Sequence, residues 1–77
     1  MRKYKFLDKL WNRKTRNYHL IVQIPGYCYG NKEEDVLYFY YTVPFKGNGR
    51  MIGRTQIQWS ELEIDTLFKK VPKFPWE

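Results

Sequence analysis

Seventy-seven residues with a net charge of +6 make one domain and leave no room for a second. A single cysteine, Cys28, excludes an internal disulfide, and no apolar run reaches the length of a signal peptide or a membrane span. The chain is therefore expected in a reducing, cytoplasmic setting. Seven Tyr, five Phe and three Trp are too much apolar bulk for a disordered tail, so a folded domain is expected.

The excess charge is local. Within residues 1–17, Arg2, Lys3, Lys5, Lys9, Arg13, Lys14 and Arg16 face Asp8 alone, and beyond Asn17 acids and bases balance. Such segregation suits a nucleic acid, an acidic protein or an anionic surface. Phe6/Leu10 and Leu7/Trp11 stand four apart along this segment, a spacing that predicts an amphipathic helix from Arg2 to Arg13. Polar residues then connect it to Tyr18–Ile24, where Tyr18, Leu20, Val22 and Ile24 alternate with His19, Ile21 and Gln23 as in a strand. Pro25-Gly26 ends that strand, and a loop with Tyr27, Cys28, Tyr29 and the acids Glu33, Glu34 and Asp35 follows.

Val36–Val43 is β-branched or aromatic apart from Leu37, and predicts a second strand. Gly47-Asn48-Gly49 signals a hairpin, with Met51–Trp59 as the third strand. A three-residue loop would pair Phe39 with Ile57, Leu37 with Trp59 and Tyr41 with Thr55 on one apolar face. Tyr38, Tyr40 and Thr42 would then lie opposite Gln58, Gln56 and Arg54 on the other. Ser60 and Glu63 form a capping box, Trp59 and Ile64 a hydrophobic staple, and Ile64, Leu67, Phe68 and Val71 a helical stripe that Pro72 ends. Lys73-Phe74-Pro75-Trp76 is an extended tail, in which a fold-back over a core edge is favoured over a free docking peptide.

These elements predict an α+β fold: a small three-stranded antiparallel meander with a basic N-terminal helix and a capped C-terminal helix, in the order α-β-β-β-α. Residues 1–17 form the basic segment, 18–59 the sheet, 60–71 the helix and 72–77 the tail of one domain.

The stock of catalytic groups is thin. One His, one Cys and one Ser leave Cys28–His19 as the only conceivable nucleophile pair, with no third group to orient it, and they cannot assemble a tetrahedral zinc site. Glu33, Glu34 and Asp35 read as solvated loop acids. Lys46 to Arg50 resembles a phosphate-cradling loop superficially, but lacks its spacing and the helix that follows it. No enzyme activity, cofactor or metal is expected.

Two surfaces are candidates for binding. One is the sheet face carrying His19, Tyr38, Tyr40, Arg54, Gln56 and Gln58, since Tyr and Arg dominate binding hot spots; its plain alternative is that the N-terminal helix covers it. The other is the basic segment, whose cations from Arg2 to Arg16 suit a phosphate backbone or an acidic partner, a membrane being the poorer fit.

In length, lysine- and aromatic-rich composition and lack of catalytic apparatus, the whole chain resembles the short accessory proteins of phages and prophages. The resemblance implies a role in binding and inhibiting, or redirecting, a host or defence protein, and transfers no site. The leading expectation is a non-enzymatic protein-binding module of that type. The alternatives are a nucleic-acid binder using the basic segment and the Tyr face, and, third, a small-molecule (nucleotide) binder.

Overall fold

A computed structural model describes residues 2–25 and 38–77, and among these described residues lie five antiparallel strands and one short helix. The elements are β1 (Lys9–Asn12), β2 (Tyr18–Gln23), β3 (Phe39–Phe45), β4 (Ile57–Ser60), α1 (Glu61–Leu67) and β5 (Phe68–Val71). They order as β4-β3-β2-β1-β5 across the sheet. The expected three-stranded meander with an N-terminal helix is thus corrected in three places.

The first correction is the basic segment, where residues 9–12 are strand and not helix. Leu10 and Asn12 are buried while Lys9 and Trp11 turn to the other face, the alternation of a strand. Phe6 and Leu7 do not join Leu10 and Trp11 in a stripe; they stand 60% and 52% exposed in a turn. Two neighbours decide this. β1 pairs with β2 through Lys9↔Leu20 and with β5 through Lys9↔Val71, and a helix would leave both strands without that ladder.

The second correction is the end of the C-terminal helix. Its start is as read from the sequence: the Glu63 amide donates to Ser60 Oγ and the Ser60 amide to the Glu63 carboxylate, at 3.1 and 3.0 Å. The helix then stops at Leu67, and Phe68–Val71 continue as β5 along the free edge of β1. Phe68 still reaches the core, as the helical stripe required, but Val71 turns to the opposite face.

The third correction is the register of β3 and β4. The hairpin itself has the three-residue loop: Lys46 N–H donates to Arg50 O at 2.8 Å, and Phe45 bridges Met51. Further on, Thr42 pairs with Ile57 and Tyr40 with Trp59, so three extra residues are absorbed on the β4 side between Met51 and Ile57. An odd slip exchanges the faces of the sheet. Pro44 is the physical cause. It has no N–H for β4, and the ladder breaks beside it into the irregular stretch that contains Gly53 at φ 73°.

The core therefore lies on the face where Leu10, Ile21, Tyr40 and Phe68 meet Ile64 of α1, with Trp59, Tyr4 and Leu67 packed around them. The N-terminal residues strap this layer down. Tyr4 OH donates to Asp65 at 2.6 Å, Lys3 N–H donates to Glu61, and Tyr40 OH donates to Glu61 at 2.7 Å.

Candidate nucleic-acid interface

The Tyr/Arg/Gln face does not exist as a surface: α1 and the N-terminal strap cover its β2–β3 part, and the register shift carries Gln58 to the other face. Tyr40 is fully buried and His19 is 3% exposed. His19 Nδ1 lies 3.0 Å from Thr42 Oγ1, and its ring stands edge-on to Phe68 at 4.7 Å. Tyr38 is half-buried, with the Arg2 guanidinium 4.9 Å from its ring centre. Arg54 and Gln56 are exposed in the irregular stretch before β4, and Gln58 pairs with Tyr41 on the opposite face. What covers the core face is α1 with the extended strap, not the expected helix.

Burial sets the chemistry of the inward groups. Desolvation lowers the His19 pKa to about 4, so the ring is neutral at pH 7. Thr42 Oγ1 accepts from the Trp59 indole at 2.9 Å and lies 3.0 Å from His19 Nδ1, so one hydroxyl ties both rings together. Desolvation and the Glu61 hydrogen bond push Tyr40 up to about 12. Tyr4 is raised further by burial and then by Asp65. Lys3 holds the Asp65 carboxyl below its ordinary value through a 2.7 Å ion pair.

The basic segment is divided by the fold. Arg2 donates to the carbonyls of Phe39 and Pro25 at 3.1 and 2.6 Å, and Lys3 pairs with Asp65. Lys9 pairs with Glu77 at 2.6 Å and lies over the Phe74 ring. Lys5 is exposed in the turn beside Phe6 and Leu7. Arg13, Lys14 and Arg16 remain together in the β1–β2 loop, all exposed.

That loop has a neighbour which sequence reasoning weighed only alone. Tyr18 pairs with Phe45, so the β1–β2 and β3–β4 loops leave the same end of the sheet side by side. The β3–β4 loop adds Lys46 and Arg50, both exposed, to Arg13, Lys14 and Arg16. Neither loop contains an acid, and among the described residues none of these cations is ion-paired. The available signal was the alternation of hairpins, which brings loops two elements apart to one sheet end.

Both loop backbones are held. Asn12 Oδ1 accepts from the amides of Lys14 and Thr15 at 2.9 and 3.0 Å, and Arg16 adopts φ 61°. The Arg13 amide donates to Leu67 O at the end of α1. In the second loop Asn48 Oδ1 accepts from the Arg50 amide, and Gly49, at φ 89°, lies against Trp76 so closely that an added Cβ would stand 2.9 Å from the indole. Trp76 is in turn stacked on Phe74 at 4.4 Å, with Tyr18 edge-on to both rings. The tail is therefore folded back, and it braces the base of the basic end.

The loop containing Cys28, Glu33, Glu34 and Asp35 lies outside the described residues. Among the described residues no group of His, Cys, Asp and Glu is arranged to hold a metal ion, and no helix is long and apolar enough to cross a membrane. Compared with protein-family models, with curated proteins and with solved structures, the chain matches none.

Proposed function

We propose that this protein is a non-enzymatic binding protein that contacts nucleic acid through the phosphate backbone, using the loop end of its sheet. The observation that supports the reading is the convergence of Arg13, Lys14 and Arg16 with Lys46 and Arg50 on two adjacent, hydrogen-bonded loops that contain no acid. Fixed cations displace condensed counterions from phosphates, a contribution that is sequence-independent and falls with salt. Replacing Arg13 and Lys14 by Ala, and Arg16 by Asn to suit its left-handed backbone, is expected to weaken oligonucleotide binding at least tenfold at low salt. Lys5→Ala, which removes a charge from the turn next to Ile21, is expected to change it less than twofold. Equal losses per charge removed, measured with Arg13→Ala alone against Lys5→Ala, would show a net-charge effect and reject the loop end as the site.

A protein partner of the phage-accessory type is the second reading, favoured by the Phe6–Leu7 turn. Leu7 holds φ 69°, a backbone state that non-glycine residues rarely adopt, with both apolar side chains exposed. Capture of a defined protein that is lost with Phe6→Ser, while the loop variant retains it, is the result this reading requires.

A further inference from the structure

Resting on the nucleic-acid reading above, we infer that the ligand at the loop end is double-stranded and is held across a groove, one loop to each backbone. The centres of the two hairpins lie two strand spacings apart, roughly 9–10 Å at 4.7–4.9 Å per spacing. Duplex grooves are of that scale, about 6 Å for the minor groove and 12 Å for the major groove of B-DNA. Arg13, Lys14 and Arg16 lie on one loop and Lys46 and Arg50 on the other, so each loop would take one phosphate chain.

The rings at this end argue against a single strand, which needs open aromatic faces for its bases. Trp76 has Phe74 stacked on one face and Gly49 against the ring, and Tyr18 and Phe45 are spent on the tail. Trp11 is half-buried on the sheet face and not between the loops. Among the described residues no helix projects from this end, and contacts to phosphates carry no sequence information. The grip is one of backbone and shape.

The measurement is fluorescence anisotropy of a duplex and of its separate strands, titrated with salt. Duplex is expected to bind at least tenfold tighter, with log K falling against log salt at a slope of about −3 to −4.5. The β1–β2 loop variant and Lys46→Ala/Arg50→Ala are each expected to cut both affinity and slope, whereas Trp11→Leu leaves duplex binding within twofold. A shuffled duplex is expected to bind equally well within a fewfold. Single strands binding as tightly as duplex, or a silent Lys46/Arg50 variant, overturn the groove-straddling inference while leaving the nucleic-acid reading standing. Failure of both strand forms to bind at low salt overturns the two together. Far-ultraviolet circular dichroism of each variant separates lost contacts from lost fold.

Discussion

Acidification from pH 7 to pH 4 is expected to remove about 2–3 kcal/mol of folding stability through His19 alone. The unfolded ring takes up its proton near pH 6.5, whereas the buried ring does so only near pH 4. The unfolded state therefore binds more protons throughout that window. The stabilisation is complete above pH 6.5, declines as the pH falls, and levels off once the folded ring also protonates. Burial between Phe68, Trp59 and Thr42 is what resists the charge. Urea denaturation from pH 7.5 to pH 4 measures the slope. His19→Asn should be less stable at pH 7 and should lose most of the pH dependence above pH 4.5. An unchanged slope in that variant would assign the effect to other groups.

The second large effect is expected at the tail. Phe74→Ala should destabilise the protein by about 2–3 kcal/mol, below the 3–5 typical of a buried Phe because a terminal segment detaches instead of leaving a void. Phe74 is 4% exposed, supports Trp76 and lies beneath Lys9, whose pairing with Glu77 closes the tail over the sheet. Releasing it frees Gly49 from Trp76 and so loosens the loop that carries Lys46 and Arg50. Amide exchange at Gly49 and Arg50 should accelerate more than at Ile21, and duplex affinity should fall at temperatures where the sheet is intact. Uniform acceleration across the sheet would mean that the tail stabilises the whole fold without positioning the loop.

The two effects have a common origin in the faces of the sheet. His19 titrates abnormally because the core lies on its side, and the tail matters because the opposite side carries Tyr18 and Phe45. Alternation in β2 and β3 taken alone suggested Tyr40 and His19 as a contact surface, but α1 and Phe68 pack on that face.

Local chemistry was legible in the amino-acid sequence wherever a short stretch satisfies itself. Ser60 and Glu63 exchange their own hydrogen bonds, Gly47-Asn48-Gly49 sets its own turn, and Tyr18–Gln23 and Phe39–Phe45 carry residues suited to strands. The concentration of cations before Asn17 was equally visible. Tertiary structure decided what depends on distant partners. Lys9–Asn12 become a strand because Leu20 and Val71 lie on either side, and Phe68–Val71 leave the helix because β1 offers an edge, although i, i+4 spacing fits a helix in both segments. The extra residues between Met51 and Ile57 shift β4 by an odd number, which brings Trp59 to the face of Tyr40 and carries Gln58 to the other. Strand pairing is a non-local bond, and so the two basic loops meet only in the folded sheet.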